Sequence, residues 1–335
     1  MNGGNSTTRR SLMKGASLLA ASTAAPFFAG ASPAGAASGE LKAPPHERGS
    51  YRFKIGDFQA TVISDGYGDG AFWPAFANNA PEAEVNAALA ANFVPPVRQG
   101  TCNILVVDTG KERIVVDTGF GWRRAPTYGN LEDNMRRAGI PPESVDFVII
   151  THGHIDHLGG ITNKAGGLVF PNAQYVLDEK EWAYWTGDQY ERDTNSQPMA
   201  PAFKEGTILA AKTNLPPIKE RLKLLKAEGE VVHGVRLVSA HGHSPAQAAV
   251  MFESGNQQLL HLADVVHDPM HLLYPAWTTV FDYDGAASTK NRKQILERVT
   301  VDRTLVMGYH MPFPSIGRVV RSGDAYRWEP ARWNW

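Results

Sequence analysis

From Tyr51 onward, apolar and polar positions alternate in short runs. Phe53, Ile55, Phe58, Ala60, Val62 and Ile63 predict two strands turned at Gly56-Asp57. Residues 102–107 and 113–117 predict a second hairpin turned at Asp108-Thr109-Gly110. Residues 145–150 form an unbroken apolar run rich in β-branched side chains, the pattern of a strand buried on both faces. Further strands are predicted over 174–177, 235–240, 248–252, 258–263 and 304–307. Helices are predicted over 81–91, 131–138, 179–186, 202–212 and 289–298, with Gly139 as a C-terminal stop. Strands and helices alternate in both halves without a linker, so residues 51–335 read as a single α/β domain with two sheets sandwiched between helices.

The most informative segment follows the apolar run. Thr151-His152-Gly153-His154-Ile155-Asp156-His157 sets three imidazoles and a carboxylate within six residues. Neutral imidazole is the commonest metal ligand, and alternate histidines can converge on one ion while the next acid and imidazole turn to another. The remaining donors must come from other loops that follow strand-like runs: His243 or His241, Asp264, and His310. Because alternate side chains of a strand face opposite ways, Leu260, Leu262 and Asp264 share one face and His261 points to the other. Asp264 is therefore the candidate and His261 is not. His267 and His271, four apart, are a weaker extra pair, and His46 and His233 have no metal context. Asp117, before Thr118-Gly119, reads either as a turn former or as a carboxylate orienting a ligand imidazole.

Composition narrows the partners. The chain has 335 residues, 43% of them hydrophobic, a formal net charge of −1 and no basic stripe, which argues against nucleic acid. Arg9-Arg10, a modest apolar stretch over 15–30 and Ala34-Gly35-Ala36 read as a twin-arginine export signal over residues 1–36, followed by a flexible lead-in over 37–50. The expected destination is periplasmic or secreted, with no membrane span in the mature form. Cys102 is the only cysteine, so no intrachain disulfide can form and stability must come from core and metal.

In their order along the chain, Asp117, the 152–157 segment, His243 in Gly242-His243-Ser244-Pro245, Asp264 and His310 resemble the motifs of the metallo-β-lactamase superfamily. Ile55-Gly56-Asp57-Phe58, Phe170-Pro171-Asn172-Ala173 and the segment His310-Met311-Pro312-Phe313-Pro314 resemble its methyl parathion hydrolase and lactonase-like group. The resemblance implies a four-layer αββα sandwich and two divalent metal ions, zinc in that group. His152, His154 and His243 would hold one ion, Asp156, His157 and His310 the other, and Asp264 would bridge them. It also implies a homodimer.

The expected chemistry is hydrolysis of uncharged esters or lactones by a metal-bridging hydroxide. Asp156 and Asp264 would orient the nucleophile and take its proton. Phosphotriesterase activity is expected beside it. The alternatives are a dedicated organophosphate phosphotriesterase or a β-lactamase, the latter disfavoured by the aspartate at 264. Phe120, Trp122, Trp185, Phe203 and Trp277 are the candidate pocket aromatics. Arg123 and Arg124 depart from the group's apolar pattern and would favour an anionic substrate if they faced the site.

Overall fold

The computed structural model describes residues 49–124, 127–192 and 201–332, with the side chains of Arg123 and Arg124 outside that set. The export signal and nearly all of the lead-in also lie outside it. Among the described residues no helix is long and apolar enough to cross a membrane.

Two seven-stranded sheets carry the chain. The first runs β1 (Ser50–Ile55), β2 (Phe58–Ala71), β3 (Val97–Asp108), β4 (Arg113–Val116), β5 (Phe147–Ile149), β6 (Gln174–Asp178) and β7 (Leu222–Leu225), in sequence order. Its first four strands pair antiparallel and β4 to β7 pair parallel. The second runs β8 (Glu230–Val232), β9 (Val235–Ser239), β10 (Ala248–Ser254), β11 (Gln257–His261), β12 (Leu305–Met307), β13 (Ile316–Ser322) and β14 (Ala325–Pro330). Only β11 and β12 are parallel there.

Strand alternation builds the layers. In β4, Ile114 and Val116 face Val250, Phe252 and Leu259 of the other sheet, whereas Val115 faces outward with Val148 of β5. That outer face is covered by α2 (Leu131–Arg137), through Leu131 and Met135, and by α6 (Pro201–Asn214), through Ala210 and Ala211. On the far side, Ile295, Leu296 and Val299 of α8 (Gly285–Val301) cover Leu260 and Val306. The result is four layers, α/β/β/α. A smaller cluster joins Val85 and Leu89 of α1 (Glu82–Ala91) to Phe72, Met270 and Trp277.

The two predicted hairpins form, with Ile55 paired to Phe58 and Asp108 to Arg113, and the 145–150 run yields only the three-residue β5. Pattern reading missed β7, β8, β13 and β14. β7 and β8 are only four and three residues long, and β13 and β14 are peripheral strands in which exposed Arg318, Arg321, Arg327 and Glu329 interrupt the apolar residues, so no long apolar run marks them.

Candidate metal centre

β5 ends where the parallel strands of the first sheet open toward the second, and the loop after it carries His152 and His154. Gly153 between them leaves no room for a side chain, because a Cβ there would run into the indole of Trp185. His154 sits just before α3 (Ile155–Leu158), a single turn that presents Asp156 and His157. His243 comes from the loop between β9 and β10, Asp264 from a 3₁₀ turn after β11, and His310 from the loop after β12.

These seven side chains meet. The ligand atoms of His152, His154 and His243 lie within 4.8 Å of one another, as do those of Asp156, His157, Asp264 and His310. His154 Nδ1 is 3.0 Å from His152 Nε2 and 2.9 Å from His243 Nε2. Three imidazole nitrogens so close cannot all be satisfied by shared protons, and a cation at their focus resolves the conflict. On the other side, His310 Nε2 is 3.2 Å from Asp156 Oδ2 and His157 Nε2 is 3.3 Å from Asp264 Oδ1. His157 Nε2 and Asp264 Oδ1 are buried without a hydrogen-bond partner among the described residues. Neighbouring donor atoms that do not align on each other point to a common third position, so the residues fit a pair of divalent ions.

The outer nitrogens of the imidazoles are held. Asp117, buried with φ of 65°, accepts from His157 Nδ1 at 2.9 Å and from the Thr151 amide and hydroxyl at 2.7 and 2.9 Å. It is a turn residue and a ligand-orienting carboxylate at once. Asp282 Oδ1 accepts from His243 Nδ1 at 3.0 Å, and the Thr101 carbonyl from His310 Nδ1 at 2.7 Å. Each bond directs Nδ1 and its proton outward and turns Nε2 toward the cluster. Glu181 of α4 (Glu179–Thr186) joins two ligand loops: it accepts from the Gly153 amide at 3.2 Å, the Ala246 amide at 2.7 Å, Trp185 Nε1 at 2.6 Å and the Ser244 hydroxyl.

Burial holds His152 and His154 neutral, well below the usual imidazole range. Burial also opposes charge on His157, but Asp264, Asp156 and Asp117 outweigh it and raise its pKa to about 10. For His243, hydrogen bonds donated to Asp264 and Asp282 overcome burial and raise its pKa to about 9. Protons held there compete with a metal ion and are released when one binds.

A cavity of about 520 Å³ opens over the cluster, with His154, Asp156, His243, Asp264 and His310 in its floor. Its walls include Trp73, Phe76, Phe120, Tyr128, Phe203 and Phe281. Phe120 and Phe203 are thus at the cavity, but three other predicted aromatics are not. Trp122 is 41% exposed, Trp277 is buried against Phe72 with its ring stacked on Tyr274, and Trp185 lines a smaller adjoining crevice. Residue type alone does not separate a wall from a core aromatic; the loop paths do. Arg98, also missed, lines the cavity but is engaged, with Nη2 donating to the His267 and His310 carbonyls at 3.1 Å and Nε 3.3 Å from Asp268. His241 is exposed and lies outside the metal-binding groups.

Asp264 reaches the cluster, but not along a strand face as alternation predicts. β11 ends at His261, and Ala263, with φ of 48°, turns the chain so that Asp264 reaches the cluster from a 3₁₀ turn. His261 is buried beside Tyr309, outside the metal-binding groups. Asp282, Glu181 and Arg98 carried no motif; only their place in the fold reveals them.

Comparison with known proteins agrees with this geometry. The sequence profile of the metallo-β-lactamase superfamily matches residues 97–310. An acyl-coenzyme A thioesterase of Gallus gallus is 24% identical over 222 residues, 62% of this chain and 73% of the relative. An N-acyl homoserine lactonase of Bacillus cereus is 27% identical over 126 residues, 38% of this chain and 40% of the relative. Among solved structures, AidC, a dizinc quorum-quenching lactonase in complex with a product, superposes with a TM-score of 0.78 at 25% identity, covering 85% of this chain and 98% of its own. The chain is a metal-dependent hydrolase fold of the metallo-β-lactamase superfamily, to which it belongs.

Proposed function

We propose that the protein is a dinuclear, zinc-dependent hydrolase of uncharged carboxylic esters, with lactones and thioesters as the favoured classes. The observation that carries this reading is the double donor cluster set in the floor of an aromatic cavity of about 520 Å³. The described cation in the cavity wall, Arg98, is already neutralised by Asp268, which supports an uncharged acyl substrate. When bound, two divalent ions lower the pKa of water and polarise the substrate carbonyl. The chain's residues do the rest. Asp117, Asp282 and the Thr101 carbonyl fix the imidazoles. Asp156 and Asp264 are the carboxylates placed to take the proton of the attacking water and return it to the departing alkoxide or thiolate as the acyl bond breaks. The aromatic walls keep bulk water out.

Likeness to the lactonase and the thioesterase supports the ester reading. A second reading, phosphotriester cleavage of the methyl parathion kind, rests on the sequence segments around Ile55, Phe170 and His310. Twin-arginine export and a homodimer complete the proposal. The test compares kcat/KM of the zinc-loaded protein on an acyl-homoserine lactone, an acyl thioester, a p-nitrophenyl ester and methyl parathion, with His154→Ala as blank. Turnover of carboxylic substrates well above the triester is expected. Triester dominance would favour the second reading, and no turnover above the blank would reject both.

A further inference from the structure

Between the turn that carries Asp264 and α7 (Met270–Leu273) lies His267, a residue outside the ligand set that the superfamily resemblance implies. It is buried, and both of its ring nitrogens lack a hydrogen-bond partner among the described residues. A packed core histidine would have at least one nitrogen satisfied. Here Nε2 lies 3.2 Å from Asp264 Oδ2 yet makes no aligned hydrogen bond to it. His157 Nε2 and Asp264 Oδ1 share that signature at 3.3 Å. His267 also groups with His243 and Asp264, one ligand atom of each lying within 4.8 Å of the others.

The ring cannot easily turn away. It lies parallel to His310, at 7° and 5.5 Å, and 4.8 Å from the His243 ring. Its main chain is held on both sides: the amide donates to His271 Nδ1 at 3.3 Å, and the carbonyl accepts from Arg98 Nη2 at 3.1 Å. His271 is itself fixed, because its Nε2–H donates to the Phe76 carbonyl at 2.7 Å and leaves Nδ1 as the acceptor. His271 and Arg98 thus set the backbone from which the His267 ring projects.

We propose that His267 is a further ligand of the metal centre, its Nε2 joining His243 and Asp264 around one ion. This rests on the metal-binding reading of the site, but the test does not use turnover. Cobalt(II) replaces zinc, and visible absorption together with chelator competition reads coordination and affinity. His267→Ala should weaken one of the two ions by about 10-fold or more and change the cobalt absorption. His267→Cys should restore binding and add a sulfur-to-cobalt charge-transfer band over the wild-type spectrum, which already contains the buried Cys102. If His267→Ala does not fold, the cysteine variant alone decides. Unchanged affinity and absorption with no new band would overturn the proposal. So would weakened affinity without the band, which would make His267 a hydrogen-bonding neighbour of Asp264. Failure of the wild-type protein to bind cobalt would instead reject the metal reading itself.

Discussion

At Asp282 a carboxylate with no sequence motif controls a ligand. Its Oδ1 accepts a hydrogen bond from His243 Nδ1, and its Oδ2 accepts one from the Thr279 amide at 2.8 Å, so one side chain fixes the imidazole and the loop that positions it. Asp282→Ala should lower metal affinity roughly 10- to 100-fold, and Asp282→Asn, which keeps an acceptor oxygen, by less. Competition with a zinc chelator measures both; equal affinities for wild type and Asp282→Ala would deny the carboxylate this role. Asp65 offers a titration instead. It accepts from the Phe120 amide at 3.0 Å and the Leu131 amide at 3.1 Å, pinning the loop that brings Phe120 to the cavity. Burial raises its pKa from 3.8 to about 6 against those hydrogen bonds. A carboxyl raised in the folded state stabilises fully below its unfolded pKa and loses that contribution as pH rises through the folded value. Wild-type stability relative to Asp65→Asn should therefore fall by about 3 kcal/mol in all between about pH 3 and pH 7, most of it between the two pKa values. Urea melts across that window check it, and a flat difference would contradict the assignment.

Among the elements, α4 shows what a sequence can and cannot disclose. Its helix is legible over 179–186, with Asp178 accepting from the Lys180 amide at its start. That Glu181 on its buried face ties the 151–154 loop to the 244–246 loop is not legible, since both loops are distant in sequence. Glu181→Ala leaves the Gly153 and Ala246 amides, the Trp185 indole and the Ser244 hydroxyl without their acceptor. The expected loss is on the order of 3 kcal/mol, read as a lower urea midpoint with unchanged slope. A shift under about 0.5 kcal/mol, ordinary for a surface site, would mean that water replaces the carboxylate at no penalty. The metal motif itself was readable because its donors lie in one short segment, and His310 because its surroundings are distinctive. The path of Asp264 was not, because a residue with positive φ at Ala263 breaks the strand period that the pattern assumed.

On the scale of the whole molecule, the donors come from both sheets: α3 and the loop between β5 and α3 supply four, and loops of the second sheet supply the other three. Ions held there would act as a cross-link between halves that are otherwise joined by apolar packing of residues such as Val62, Val116, Leu237 and Phe252. Ligand binding to the folded state alone adds RT ln(1 + [L]/Kd), about 2.7 kcal/mol per ion at a hundredfold excess over Kd. Two ions then contribute about 5 kcal/mol, and at roughly 2 °C per kcal/mol for a chain of this size chelation should lower Tm by about 10 °C. The metal-free protein should still melt in one transition, because the apolar packing of residues such as Val116 and Phe252 joins the sheets whether or not ions are bound. Calorimetry at a series of free zinc concentrations decides the matter. A Tm that rises with the logarithm of free zinc is the signature of linkage. A Tm indifferent to zinc would show that the two halves are held by packing alone, and two separate transitions after chelation would show that the ions, not the intersheet core, make the fold cooperative.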